Sequence, residues 1–363
     1  MINTIIHKIK NANKIKFRFD YPKPKKILQY DELHSDFLRK VLKKDFNIIP
    51  RHKTEIYFWI FIKQAFFFDF SFLTYFKNYI KVTSPKVIIN LIDNDFSYYK
   101  LKKHFKDIQF ISIQNGVRPP NIPIFKNKNS NIFKNLECDH FFLFNKYLVH
   151  EYKKVIKSKY YVIGSYKNNT VKINKTKYRG SYLFISRQRI NPKFLRFMAL
   201  YFLNSNKKLN ILLKNKDYNG QKNEMEFFKK FFNSNCIFHK CSSVEKSYKI
   251  VDKFENIIFT NSTLGYEAIS RRKKVAVFAL SKNKKYREFF GWPKKNNKKN
   301  HFFLANKLTY DEISRVLNNI YKCKQSNWEK NYFKNIQDLM HIDKNNLQLK
   351  KVINKILKNS NTK

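Results

Sequence analysis

The stretch that most constrains this chain is Ile257–Phe278, which reads IIFTNSTLGYEAISRRKKVAVF. Its opening triad, Ile257-Ile258-Phe259, is too short and too rich in β-branched and aromatic side chains for a helix, and reads as a buried parallel strand. Thr260-Asn261-Ser262-Thr263 are small and mostly hydroxyl-bearing, and Leu264–Ile269 then spaces its apolar residues as a helix does. Lys274–Phe278 is again a buried strand. The unit is βαβ, with hydroxyls and free backbone N–H groups at a helix N-terminus, a ready place for a phosphate. Glu267 lies on the first turns of that helix, where a carboxylate reaches ribose hydroxyls. The plain alternative makes Ser262 or Thr263 an N-cap and Glu267 a solvated first-turn acid.

The same alternation runs through the rest of the chain. After a short strand over Lys26–Leu28, a helix over Asp36–Phe46 and one or two aromatic-rich helices over Ile56–Tyr79, strands are expected at Val87–Ile92, Gln109–Gln114, His140–Phe144 and Tyr160–Ile163. Helices over Phe96–Phe105 and Lys146–Ile156 separate them. The polar stretch at 168–178 reads as a linker, and the pattern restarts at Ser181–Ile185. Helices over Pro192–Phe202, Glu224–Phe232 and Val244–Val251 then alternate with strands at Leu209–Leu213 and Cys236–His239, and an amphipathic helix is expected over Asp311–Tyr321. Strands that end in polar residues and alternate with helices make open, doubly wound parallel sheets. Two such halves of similar size describe an α/β protein of GT-B architecture: two Rossmann-like domains facing each other across a cleft. The divisions are 1–167, a linker at 168–178, a second domain at 179–330 and a helical tail at 331–363. Four of the six glycines, Gly116, Gly164, Gly265 and Gly291, fall at strand ends or helix starts expected to face that cleft.

Composition narrows the partners. The 75 Lys and Arg against 26 Asp and Glu leave a net charge of +49, which calls for an anionic partner. Lysine is spread over the whole length, and no Cys/His finger, RNA-binding signature or basic heptad region is present, so no specific nucleic-acid partner is expected. The charge instead favours an anionic membrane face and acidic or phosphorylated substrates. Ile56–Phe76, the most apolar region, is broken by Lys63, Gln64 and Asp69, and so reads as a buried or membrane-leaning helix rather than a span. The N-terminus has cationic residues but no apolar core of signal-peptide length. Cys138, Cys236, Cys241 and Cys323 include no C-x-x-C pair and read as reduced core thiols of a cytoplasmic protein.

The segments Asp93-Asn94, ISIQNGVR (Ile111–Arg118), VIGSYKNN (Val162–Asn169), FTNSTLGYEAISRRKKVAVF (Phe259–Phe278) and FFGWP (Phe289–Pro293), followed by the Asp311–Tyr321 helix, resemble bacterial surface-carbohydrate biosynthesis proteins. These are GT-B-type transferases that include relatives of capsule and lipopolysaccharide Kdo transferases. The resemblance spans Val87 to Tyr321, and the region before Val87 and the lysine/asparagine loop Lys294–Asn300 depart from it. It implies sugar transfer from a nucleotide-activated donor, such as CMP-Kdo or another CMP-acidic sugar, to a growing surface polysaccharide or lipopolysaccharide. The setting it implies is the inner face of the cytoplasmic membrane, with a glycan or glycolipid acceptor. GT-B enzymes usually work without a metal, so no metal and no cofactor are expected beyond the nucleotide-sugar substrate.

Glycosyl transfer needs a stabilised leaving phosphate, a held nucleotide and a group to take the acceptor proton. Ser262, Thr263 and Gly265 are the phosphate candidates, with Glu267 on the ribose. Ser186, Arg187 and Lys214, at neighbouring strand ends, line the same cleft. Arg187 suits bidentate phosphate contact, while any one lysine of so basic a chain is more often a solvated charge. Asp93 and Asp95 are the candidate catalytic acids, one of them expected to cap the following helix. Gln114, Asn115 and Arg118 are candidate acceptor or sugar contacts, and His140 and His150 read as structural. No H-E-x-x-H, G-x-S-x-G, P-loop or G-x-G-x-x-G occurs. Two alternatives stay open: a nucleotide-sugar epimerase or hydrolase on the same scaffold, and a basic nucleic-acid-binding protein.

Overall fold

The computed structural model describes residues 16–49, 55–65, 71–118, 123–126, 131–187, 190–232, 236–280 and 301–359. The first half carries strands β1 (Lys16–Arg18), β2 (Ile27–Gln29), β3 (Asn47–Ile48), β4 (Glu55–Tyr57), β5 (Val87–Asn90), β6 (Gln109–Ile113), β7 (Leu136–Leu143) and β8 (Ile156–Val162). β1 pairs with β4 apart from the rest, and the others form one sheet in the order β3-β2-β5-β6-β7-β8. The second half carries β9 (Tyr178–Ile185), β10 (Leu209–Leu212), β11 (Cys236–His239), β12 (Phe254–Phe259), β13 (Lys274–Phe278) and β14 (Leu304–Ala305), ordered β11-β10-β9-β12-β13-β14. Every named pairing in both sheets is parallel.

Alternate side chains of a strand point to opposite faces, and both faces of the first sheet are covered. Leu28, Ile88, Phe110 and Phe141 join one buried cluster, while Ile27, Val87, Ile89, Ile111, Ile113 and Phe142 join another. Continuous apolar runs such as Val87-Ile88-Ile89 follow from that double burial. The second cluster is closed by Leu38 and Val41 of the helix Ser35–Leu42 and by Leu349, Ile353 and Leu357 of the helix Leu347–Asn359. The tail, described over 331–359, therefore crosses back to the first half. His341 donates its amide to the Phe144 carbonyl at 3.1 Å, and Asn145 Nδ2 donates to the Leu339 carbonyl at 2.9 Å.

Several boundaries differ from expectation, each for a local reason. The helix expected to reach Phe46 stops at Leu42, where Lys43 turns left-handed (φ 51°) and closes it on Arg39; the following residues make edge strand β3. The helix expected to reach Ile156 stops at Tyr152, and Ile156 opens β8. Ile56–Tyr79 divides into β4 and the helices Phe58–Ala65 and Phe72–Thr83. Among the described residues no helix is long and apolar enough to cross a membrane. The 168–178 stretch opens inside a short helix, Tyr166–Thr170, with Asn168 and Asn169 buried. Their carboxamides supply the bonds that make a polar segment tolerable there: Asn169 Nδ2 donates to the Ile163 carbonyl at 2.8 Å and to Asn346 Oδ1 at 3.0 Å.

Candidate functional site

In each sheet the chain order reverses at one place, between β2 and β5 in the first and between β9 and β12 in the second. The loops at the carboxyl ends of strands flanking such a switch point form the usual ligand crevice of an open α/β sheet. Here a cleft of about 580 Å³ lies at the second switch point, within the usual size of a small-molecule site. Ser186 and Arg187 follow β9, Lys214 follows β10, and Asn261, Ser262 and Thr263 follow β12; all line the cleft, together with Glu267 and Lys167.

Ser262 occupies the N-cap position of the helix Thr263–Ser270 in an extended conformation, without capping it through its side chain. The Gly265 amide donates to the Ser262 carbonyl at 3.0 Å. Earlier first-turn amides have no acceptor within the helix, so they and the positive end of the helix dipole favour an anion. Thr263 Oγ1 accepts from the Val117 amide of the first half at 3.1 Å, which leaves the hydroxyl proton for another acceptor. Gly265 is needed for a different reason from the one expected. A Cβ there would stand 2.1 Å from Phe259 Cγ, so its missing side chain lets the helix sit on β12.

Glu267 is buried beside the cleft and accepts from Ser165 Oγ at 2.5 Å. One ribose-facing candidate thus already joins the two halves. Ser186 Oγ donates to Glu224, which also accepts from the Lys214 amide at 3.0 and 3.1 Å and from the Asn215 amide at 3.1 Å. Glu224 braces both strand-end loops, and Ser186 serves that brace. Arg187 is half-buried, and burial lowers its pKa. The Lys214 side chain is exposed at the cleft.

In the first half the structure places the expected residues together but gives several of them other work. Asp93 is fully buried, its two oxygens taking Arg118 Nε at 2.8 Å, Arg118 Nη2 at 2.5 Å, the Tyr152 hydroxyl at 2.6 Å and the Asn115 amide at 3.1 Å. Four donors on a sealed carboxylate make Asp93 the anchor of the 114–118 turn and leave no oxygen facing a substrate. Asp95 caps the helix Phe96–Lys102, accepting from the Ser97 amide at 3.0 Å. Gln114 is also fully buried; its Nε2 donates to the Gly116 carbonyl and its Oε1 accepts from the Phe144 amide, each at 2.8 Å. Arg118 is committed to Asp93: burial works against its charge, but the carboxylate outweighs that and raises its pKa. Gly164 (φ +73°) is crossed by the C-terminal segment rather than by a ligand, since a Cβ there would lie 1.7 Å from the His341 carbonyl oxygen. Gly291 and the F-G-W-P piece lie outside the described residues.

Two residues of this region carried no expectation. Lys167, inside the VIGSYKNN segment, reaches across to Asn115, donating to Oδ1 at 2.9 Å. Burial lowers its pKa, and Lys216 and Arg118 add to that while Glu267 opposes it. His34, left-handed at φ 58° after β2, packs edge-on to Tyr166 at 6.5 Å. Burial, then the charges of Lys167 and Lys216, push its pKa down to about 3 against an opposing hydrogen bond with Asn115. The only signal for Lys167 was its place in a strand-end segment. His34 had none, because the short β2 before it is a weak pattern.

Two all-parallel sheets with a cleft at a switch point, and a helix N-terminus opening into it among cations, define a protein of the GT-B fold. A family described as "putative O-antigen biosynthesis protein" matches residues 111–208 and 191–357, and the chain belongs to that family. It is a GT-B-type surface-carbohydrate biosynthesis protein. Solved structures of similar fold include a glycosyltransferase from Rickettsia africae ESF-5, 11% identical with a TM-score of 0.54, covering 93% of this chain and 100% of that one. The wall teichoic acid polymerase TagF, solved with CDPG, is 11% identical with a TM-score of 0.52 over 99% and 96% of the two chains. A UDP-GlcNAc 2-epimerase from Methanocaldococcus jannaschii, in complex with UDP-GlcNAc and UDP, is 12% identical with a TM-score of 0.51 over 86% and 98%. No curated protein matches the chain by sequence.

Proposed function

We propose that this protein is a metal-independent glycosyltransferase that moves a sugar from a nucleotide-activated donor to a growing surface polysaccharide or lipopolysaccharide at the inner face of the cytoplasmic membrane. The observation that carries the reading is the N-terminus of the helix Thr263–Ser270, opening into a cleft that Arg187, Lys214 and Lys167 line. Fixed amides and cations aimed at a departing phosphate stabilise charge that grows in the transition state. TagF with CDPG and the epimerase with UDP-GlcNAc support a nucleotide-linked donor. A CMP-linked acidic sugar such as Kdo, with both a phosphate and a carboxylate, suits so cationic a cleft.

In this reading Ser262 and Thr263 hold the phosphate and Glu267 the ribose, while Asn115 and Lys167 face the sugar from the other half. Because Asp93 is sealed by Arg118, Tyr152 and the Asn115 amide, it does not take the acceptor proton in this reading.

The test is a thermal-shift screen of the purified chain against CMP, UDP, GDP and their sugars. A nucleotide at 100 times its Kd adds about 2.7 kcal/mol of stability. Melting temperatures unmoved by every nucleotide would overturn the reading, and donor turnover without any acceptor would favour the epimerase or hydrolase alternative.

A further inference from the structure

We infer that the aromatic face built by Phe17, Phe19 and Trp59 is the surface by which this protein docks on an anionic lipid bilayer. The inference rests on the membrane setting proposed above and supplies its contact surface. Single exposed rings are ordinary, but a joined group of them marks an interaction site. Phe17 is 43% exposed, Phe19 66%, Trp59 45% and neighbouring Tyr21 58%. Phe58 ties them together, its ring centroid 6.2 Å from Phe17, 5.0 Å from Phe19 and 5.4 Å from Trp59. Trp59 Nε1 donates to the Phe19 carbonyl at 2.7 Å, so its polar atom is satisfied while nearly half of the residue faces out. Past the far end of the same helix, Gln64 holds the Ser71 carbonyl at 2.7 Å beside Phe72, which is 71% exposed.

The rim is basic. Lys16, Arg18, Lys23 and Lys63 are all exposed, against the acids Asp20, which pairs with Arg18 at 2.8 Å, and Glu55. Tryptophan and tyrosine sit well at the level of lipid headgroups, and lysine and arginine beside them are drawn to anionic lipid. The helix Phe58–Ala65 has eight residues and buries Ile60 and Gln64 inward. That geometry suits shallow interfacial seating rather than insertion across the bilayer. A second copy of a chain bearing +49 repels this one. Single-stranded nucleic acid needs open ring faces on which bases stack, whereas Phe17 and Phe58 meet edge-to-face at 86°.

Flotation of the full chain with vesicles of phosphatidylglycerol and phosphatidylcholine, compared with phosphatidylcholine alone, tests this. Binding is expected only to the anionic vesicles and is expected to weaken in high salt. Phe19→Asp with Trp59→Asp should weaken binding by about tenfold or more, by loss of buried apolar area, while nucleotide-induced thermal shifts stay as in the parent chain. A folded double variant that floats like the parent overturns the proposal, as does loss of oligonucleotide binding or of self-association in place of vesicle binding. If the double variant fails to fold, Trp59 fluorescence decides. A blue shift and quenching by brominated phosphatidylglycerol, absent from Trp59→Phe, is the expected result, and an unchanged spectrum overturns the assignment. Failure of the nucleotide screen with flotation intact would instead fall on the proposed activity.

Discussion

Thr263 Oγ1 accepts the Val117 amide at 3.1 Å, so a side chain at the phosphate-favouring end of one half is tied to a loop of the other. The hydroxyl accepts from Val117 and still has its own proton to give. Donor capture and the approach of the two halves therefore share one side chain.

Thr263→Val keeps the shape and removes the hydroxyl, leaving the Val117 amide without its acceptor. Nucleotide affinity should fall by about tenfold, the order of one hydrogen bond to a charged group, and Thr263→Ser should restore most of it; titration calorimetry reads both. Ser262→Ala combined with Thr263→Ala should weaken binding further. Unchanged affinity in that double variant would remove the phosphate assignment.

Asp93→Ala leaves the largely buried Arg118 guanidinium without its partner. Breaking one side of such a pair costs about 3–5 kcal/mol, so the urea midpoint should drop steeply. A base exposed to substrate would behave otherwise, with activity lost and stability kept.

Gly265→Ala drives a methyl group into the Phe259 ring. The expected loss is about 1–3 kcal/mol from overpacking, relieved in part when Phe259→Leu is added, so the two changes should be non-additive by about 0.5 kcal/mol or more. Thermal melts of the four chains complete the cycle.

The half-buried imidazole of His34 has a pKa lowered to about 3 from an ordinary value of 6.5, chiefly by desolvation. Between those values the unfolded chain holds a proton that the folded chain does not, so stability rises with pH across that window. The contribution is fully present above 6.5 and is lost as pH falls toward 3. His34→Gln should flatten this part of a melting-temperature profile.

The strands were legible because burial on both faces turns them into unbroken apolar runs, as in Val87-Ile88-Ile89 and Ile257-Ile258-Phe259. The helix N-terminus at Thr263 was legible through its small hydroxylated residues. What could not be read was which polar group meets which. Asp93 at a strand end looks the same whether it faces substrate or four internal donors, and only the placement of Arg118 and Tyr152 decides. Gly164 and Gly265 mark close approaches, but the approaching atoms belong to His341, far along the chain, and to Phe259. The amphipathic stripe of Leu349, Ile353 and Leu357 announces a covered face without naming the sheet that covers it.

That stripe also sets a timetable. The helix Leu347–Asn359 supplies part of the lid on Ile27, Val87 and Ile89, yet it is the last described element of the chain to be synthesised. Domains generally fold as units, the N-terminal one first, while the chain is still being made. Here the part of that face of the first sheet that Leu38 and Val41 do not cover waits until the other half has been translated. A chain arrested after β14 would carry a finished second sheet and an open flank on the first, an early target for chaperones and proteases.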